Sequence, residues 1–163
     1  MANIATQVAS NVSQLLTAPA GNDFQLNAIA QSLSAVPPVA ITSIFLGNTP
    51  ADFFEQSLSI KYPIVSVYCE KLSNVLTEKF RTFSGTTQVA IEIRHSSDQI
   101  QNIQPVLENY VSAACQVLDS SRGDWGNGLF YAGGYEVNFS PLKRGGRHYS
   151  QSAKVIATVD VSL

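Results

Sequence analysis

The sequence predicts an α+β fold with one mostly antiparallel sheet of about four to five strands, a long helix across one face and additional N-terminal helices. Two observations predict it. From Tyr62 onward, four segments alternate apolar and polar residues, which is typical of strands with one buried face. Between the second and third of these lies a stretch with apolar residues at three- and four-residue steps, typical of a helix. This order lets each pair of strands be antiparallel neighbours under one helix.

The N-terminal part, residues 1–61, is predicted as a helical segment that packs on the core or extends from it. Helical spacing covers Ile4 to Leu16, and a second helix is expected from Asp23 to about Ala35, with Asn22 or Asp23 as its cap and Pro37–Pro38 as its end. Val39 to Leu46 is expected to be a short strand or an extended connection, followed by a turn at Gly47–Pro50. The first 60 residues contain no Lys or Arg, which separates this segment chemically from the rest.

The core is predicted to span residues 62–163, and its first two strands are Pro63–Glu70 and Thr87–His95. Residues 71–86 between them are too many for a tight turn. They are expected to form either an extended arm or a long hairpin that projects from the sheet. This connection contains Lys79, Arg81 and Phe83.

A helix is predicted from Asp98 to about Asp119, and Pro105 leaves its start open. A helix that begins at Asp98 would be kinked by this proline, whereas one that begins near Gln104 would place it in the favoured first position. Two further strands are expected, from Tyr135 to Leu142 and from Tyr149 to Val161.

The segment from Arg122 to Tyr135 has five glycines and four aromatic residues in fourteen positions. Its aromatic side chains carry apolar area that should not remain in water. We therefore expect this loop, and Trp125 above all, to be largely buried against its own sheet or against another chain. A dinucleotide loop is not indicated, because the glycines do not stand between a strand and a helix. Gly123 is expected to end the helix.

Composition favours a structural or interaction protein. Charged residues make up 13% of the 163 residues and the net charge is −2, too small to indicate nucleic-acid binding. No apolar run approaches a membrane span and no signal peptide is visible, so a soluble protein made in a reducing cytoplasm is expected. Cys69 and Cys115 are expected to be small buried side chains rather than a disulfide.

No enzyme motif or metal-ligand spacing is present, so neither an enzyme nor a cofactor is expected. The basic turn from Lys143 to Arg147 could bind phosphate or nucleic acid. A solvated or salt-bridging turn is the favoured interpretation, and contact with an acidic neighbour comes next.

Several segments, taken in order, resemble the tail terminator (tail completion, head–tail joining) proteins of tailed bacteriophages. The resemblance covers about Tyr62 to Leu163 and rests on Tyr62–Pro63 at the start of a strand, EKFRTFSGT, VAIEIRHS, a long helix ending in VLDSSRGDWG, then FYAGGYEV and a closing strand. It implies a non-enzymatic α+β subunit without a cofactor, which forms a six-membered ring. Such a ring caps the tail tube, stops its polymerisation and docks to the head connector.

The resemblance implies partners and a location as well. The partners are further copies of the chain, the tail tube protein, a head–tail connector or stopper protein, and the sheath terminus if the tail is contractile. DNA would only pass through the lumen, no membrane is involved, and the protein would be located in the virion after synthesis in the host cytoplasm. The expected assembly surface consists of Lys79, Arg81, Phe83, Arg122, Trp125, Phe130, Tyr131, Lys143, Arg144 and Arg147.

Two other functions remain open from the sequence. One is another virion component of similar architecture, either a head-completion or stopper protein or a tail tube subunit, which should polymerise by itself. The other, more distant, is a small ligand-binding or hydrolase domain, which requires a concave pocket with perturbed titratable groups.

Overall fold

The computed structural model describes residues 3–33, 40–48 and 61–163. In these parts the protein is α+β, with three α-helices and a large curled sheet of six to eight strands, depending on how interrupted strands are counted. The predicted fold class is confirmed. The predicted strand number, four to five, is wrong, because segments expected to be loops and turns pair with the sheet.

The N-terminal helix α1 (Ile4–Leu16) is capped by Asn3, whose side-chain oxygen accepts a hydrogen bond from the Thr6 amide at 3.2 Å. Its stripe of Ile4, Val8, Val12 and Leu16 is buried, as the spacing predicts. A two-residue hairpin follows, formed by β1 (Pro19–Ala20) and β2 (Asp23–Phe24).

Helix α2 (Gln25–Leu33) starts two residues later than expected, because Asp23 pairs with Ala20 in the small hairpin. The predicted end of this helix at Ala35, its Pro37–Pro38 stop and part of the Gly47–Pro50 turn lie outside the described residues. In the described part of the N-terminal segment, α1 packs on the sheet and α2 packs on the long helix of the core.

Strand β3 (Ile44–Leu46) is parallel to β4 (Ile64–Asn74), which is antiparallel to β5 (Ser84–Ser97). Both β4 and β5 are longer than predicted, because they continue to pair beyond the apolar segments, with a register shift between Cys69 and Lys71. Residues 71–86 therefore form a long hairpin, one of the two alternatives, and only residues 75–83 make its loop.

The long helix α3 (Ile103–Ser120) is preceded by a 3₁₀ turn (Ile100–Asn102). Pro105 is the third helical residue. The first helical residues have no intrahelical partner for their amides, so the missing N–H of proline costs no hydrogen bond there. The helix thus starts close to the second of the two alternatives, within the first turn that tolerates proline.

Four short strands follow: β6 (Gly123–Gly126), β7 (Leu129–Tyr131), β8 (Tyr135–Phe139) and β9 (Lys143–Gly145). They lead into β10 (His148–Ser162), which pairs with β5 along nearly its whole length. On its other side β10 pairs in turn with β9, β8 and β7, and β6 pairs with β7 at the edge.

The hydrophobic core lies between the helices and one face of the sheet. Its strand residues are the predicted alternating sets, among them Val65, Val67, Val89, Ile91, Ile93, Val155, Ala157, Val159 and Val161. Among the described helices, none combines the length and the apolar character that crossing a membrane requires.

Candidate assembly surface

The residues predicted for an assembly surface lie at two ends of β10. Strand β10 has 15 residues, so its ends are about 45 Å apart. Lys79, Arg81 and Phe130 belong to elements at its C-terminal end, whereas Lys143 and the rest of the basic turn lie at its start. The structure therefore divides the predicted set into two separate surfaces.

The base of the β4–β5 loop is held by a dense set of hydrogen bonds. The amides of Val75 and Leu76 donate to the Ser84 carbonyl at 2.9 Å each, and the Asn74 side-chain oxygen accepts from the Ser84 amide at 3.0 Å. The Thr77 and Ser84 hydroxyls are 2.7 Å apart. These contacts fix where the loop leaves the sheet.

The C-terminus closes the same end of the sheet. The Leu163 carbonyl accepts from the amides of Thr82 and Phe83 at 2.7 and 3.1 Å, and the Leu163 amide donates to the Phe83 carbonyl at 2.8 Å. The Ser162 hydroxyl donates to the Glu78 carboxylate at 2.7 Å. The loop is thereby attached to the last two residues of the chain.

The same loop exposes three apolar side chains, two of which belong to residues of the hydrogen-bonded base. Val75 and Leu76 are 61% and 58% exposed, and Phe80 is fully exposed. Leu76 and Phe80 also adopt positive φ angles, 47° and 67°, which are unfavourable for residues with a side chain. We call Val75, Leu76 and Phe80 the apolar tip.

A shallow groove runs beside the loop at the end of β10. Its lining includes Arg81, Asp124, Leu129, Phe130 and Leu163. Phe130 is 49% exposed, and Arg81 forms an exposed ion pair with Glu78 at 3.4 Å. The structure thus brings Arg81 and Phe130 together, with Lys79 in the same exposed loop.

Two predicted surface residues are corrected by the structure. Phe83 is 5% exposed and Tyr131 is not exposed, and both belong to the hydrophobic core of the subunit. Tyr131 alternates with the exposed Phe130 in β7, so strand register decides which of the two faces the core, whereas Phe83 is the last loop residue before β5. Neither can serve as an anchor on another chain.

Trp125 lies in β6 and Arg122 directly before it, and the partner of β6, β7, pairs with the C-terminal end of β10. The Trp125 ring packs against Tyr131 with 5.2 Å between centroids, and its indole N–H donates to the Ser121 carbonyl at 2.7 Å. Trp125 is half-buried against its own chain, so the expectation that it is largely buried is met only in part. Arg122 is exposed and lies 3.5 Å from the Asp119 carboxylate.

The glycine-rich segment is a tight β-hairpin, which the sequence analysis missed. Asn127 and Gly128 connect β6 to β7 with φ angles of 53° and 77°, the two positive values of a type I′ turn. The Asn–Gly pair between two short β-prone segments is the signal that could have predicted it. Gly123 does not cap the helix. It is the first residue of β6 and has a φ of 119°.

At the start of β10, Lys143, Arg144 and Arg147 are exposed. Lys143 and Arg144 belong to β9, so they are strand residues and not part of a turn. Only Gly146 and Arg147 form the turn to β10. The Arg144 guanidinium lies 5.8 Å from the centre of the Tyr149 ring.

A polar network occupies the sheet face opposite the core. The Tyr68 hydroxyl donates to Glu92 at 2.8 Å, and Arg94 donates to the other Glu92 oxygen at 2.9 Å. Burial, with help from Glu92, raises the pKa of Tyr68 to about 12. Lys154 donates to Glu70 at 2.8 Å, and this bond raises the pKa of the lysine. The raised pKa values keep Tyr68 and Lys154 protonated, so that both side chains remain hydrogen-bond donors. Such constant donors suit a structural role.

No group of three or more metal-ligating side chains occurs in the parts of the chain that the structure describes. Burial lowers the pKa of His95, which keeps it neutral at physiological pH. No protein-family model matches the sequence, and no curated protein matches it either.

Proposed function

We propose that the protein is a structural subunit of a bacteriophage virion that forms a ring on the end of the tail tube. The observation that carries the proposal is the apolar tip on a hydrogen-bonded base. A flexible loop would hide Phe80 or leave it disordered, whereas this one holds it in water at an unfavourable φ. Backbone strain of this kind persists where the surrounding structure imposes it, often at binding sites.

The tip is suited to contact between identical subunits. In a ring, each subunit presents one surface to the neighbour on one side and a different surface to the neighbour on the other. A projecting tip with large apolar side chains supplies one such surface. The resemblance of residues 62–163 to tail terminator proteins supports the same arrangement from the sequence.

The energy of a single contact between two subunits explains why the proposed assembly is a closed ring. Burial of Val75, Leu76 and Phe80 is worth roughly 1.5–3 kcal/mol each, and the sum is similar to the cost of immobilising a partner, about 4–15 kcal/mol. A single contact is therefore weak. Closure stabilises every subunit on two sides at once, so a closed ring is far more stable than an isolated pair.

In this role the ring would end tail polymerisation and present a docking surface to a connector or stopper protein. The sheath terminus would be a further neighbour in a contractile tail, and DNA would pass through the lumen. None of these contacts requires bond-making chemistry, so the proposal involves neither catalysis nor a cofactor.

Light scattering coupled to size-exclusion chromatography, with negative-stain electron microscopy of the protein alone and mixed with tail tubes, tests the proposal. We expect closed rings, either free or on tube ends. Filaments formed by the protein alone would support the tube-subunit alternative. A monomer that leaves tube ends bare would refute the proposal.

A further inference from the structure

A cleft of about 440 Å³ lies at the start of β10, far from the apolar tip. It is bounded by the end of β5, the Ser140–Pro141 link, β9 and the first residues of β10. Three cationic side chains line it: Arg94, Lys143 and Arg144. This concentration of positive charge is unusual in a chain whose net charge is −2.

The cleft keeps an excess of positive charge. Glu92 is the only carboxylate among the described lining residues, so three cations and one anion leave a net charge of +2. Glu92 already accepts hydrogen bonds from Tyr68 and Arg94. The side chains of Lys143 and Arg144 form no ion pair or hydrogen bond with any residue that the structure describes.

The wall of the cleft is held in place before any ligand binds. The Ser140 amide donates to the Ser152 carbonyl at 2.9 Å, and the Ser140 hydroxyl accepts from the Ser152 amide at 3.0 Å. The Gln151 side chain donates to the Ser140 carbonyl at 2.9 Å. The two-residue turn between β9 and β10 fixes Lys143 opposite Ser150.

The lining is rich in hydrogen-bond donors. An arginine carries five N–H donors and a lysine three. The hydroxyls of Ser140 and Ser150 add more, whereas the Ser152 hydroxyl already donates to the Ser140 oxygen at 3.0 Å. A phosphate group offers mainly acceptor oxygens, and a phosphomonoester carries a charge of about −1.5 to −2 near neutral pH. A carboxylate has one charge and two oxygens, which leaves much of this surface unused.

We propose that this cleft binds a phosphate group, either free phosphate or a small phosphomonoester. Its volume falls in the range of small-ligand sites, which suits a phosphate with a sugar-sized substituent better than a nucleic-acid duplex. The sequence favoured a solvated or salt-bridging turn for Lys143 to Arg147. The proposal is a binding site instead, because the structure adds Arg94 and serine hydroxyls to the lining. It is independent of ring formation.

Isothermal titration calorimetry at matched ionic strength tests the site, with inorganic phosphate, a nucleoside monophosphate, a short DNA duplex and a glutamate-rich peptide as separate ligands. The variant Lys143→Gln/Arg144→Gln removes two charges from the cleft. The control Lys79→Gln/Arg81→Gln removes two charges at the opposite end of β10. All four positions are exposed, and circular dichroism verifies that both variants fold.

We expect saturable binding of phosphate or the monophosphate, at least about tenfold weaker in the cleft variant and unchanged in the control, because charged hydrogen bonds are lost only in the cleft. Tighter binding of the monophosphate than of phosphate would identify a phosphomonoester as the ligand class. Equal loss in both variants, or no saturation, would overturn the proposal. Binding of only the duplex or only the peptide would overturn it as well.

Discussion

Phe80 is the residue at which stability and assembly should separate. Its side chain is fully exposed and its φ is 67°. Glycine adopts this φ without steric cost, whereas alanine does not. The variants Phe80→Gly and Phe80→Ala both remove the aromatic ring, but only the glycine also relieves the backbone.

The structure sets the expected magnitudes. The ring of Phe80 is fully exposed, so its removal should leave the free energy of unfolding nearly unchanged in Phe80→Ala. Relief of the positive φ is worth about 1 kcal/mol, partly offset by about 0.5 kcal/mol from the greater freedom of glycine in the unfolded chain. Phe80→Gly should therefore be more stable than the wild type by about 0.5 kcal/mol.

Assembly, unlike the stability of the subunit, should be weakened in both Phe80 variants. Loss of a buried phenyl ring costs about 1.5–3 kcal/mol at each contact, a factor of roughly 10 to 150 in the association constant. Every contact of a ring loses the same amount, so the ring should dissociate at protein concentrations where the wild type stays closed.

Urea unfolding measures the first effect, and light scattering over a dilution series measures the second. Phe139→Ala is the matched control, because this phenylalanine of β8 is 46% exposed outside the loop; it should leave assembly intact. Rings that persist in both Phe80 variants would refute the role of the tip. A clear loss of stability in Phe80→Gly would show instead that the phenyl side chain of Phe80 packs on its own subunit.

Three further predictions concern the fold. Gly128→Ala should lower the free energy of unfolding, measured in urea, by about 2 kcal/mol or more. A Cβ at this position would lie 2.1 Å from the Ser162 carbonyl oxygen, and the φ of 77° is unfavourable for alanine. The control Gly134→Ala should be nearly neutral, because no atom lies within 4 Å of its added Cβ. Trp125→Ala should cost about 2 kcal/mol by the same measurement, because it removes the packing on Tyr131; an unchanged unfolding midpoint would contradict this. The contribution of three buried tyrosines to the free energy of unfolding should be constant well below pH 10 and fall as pH rises from 10 towards 12, because the unfolded chain releases tyrosine protons near pH 10 while the folded chain retains them. Urea unfolding at a series of alkaline pH values, followed with phenolate absorbance, checks the sign. Burial raises the pKa to about 12 for Tyr68, Tyr110 and Tyr131.

The apolar pattern predicted the elements that bury one face. Helix α1, helix α3 and the inward residues of β4, β5 and β10 all follow it, because burial of those side chains is what stabilises the elements. The same pattern could not predict where strands end. Residues such as Thr86 and Ser73 are polar, yet they pair across β4 and β5, because a neighbouring strand satisfies their backbone groups.

The two surfaces required information beyond the pattern. Phe80 and Phe83 stand three residues apart in one polar segment, and only the loop geometry places one in water and the other in the core. Arg94 and Lys143 are 49 positions apart in the sequence, and the pairing of both β5 and β9 with β10 brings them to one cleft. By contrast, the Asn127–Gly128 turn was available from the sequence alone.

Strand β10 explains why the two proposals can be separated by experiment. Its C-terminal end holds the apolar tip through Ser162 and Leu163, and its first residues form the cleft with β9. About 45 Å of strand lies between them, well beyond the Debye length of about 8 Å at physiological salt. Charge changes at Lys143 should therefore not alter the tip directly, and loss of Phe80 should not alter the cleft. If phosphate bound to the wild-type ring but not to the Phe80→Gly monomer, the site would need a neighbouring subunit for its completion.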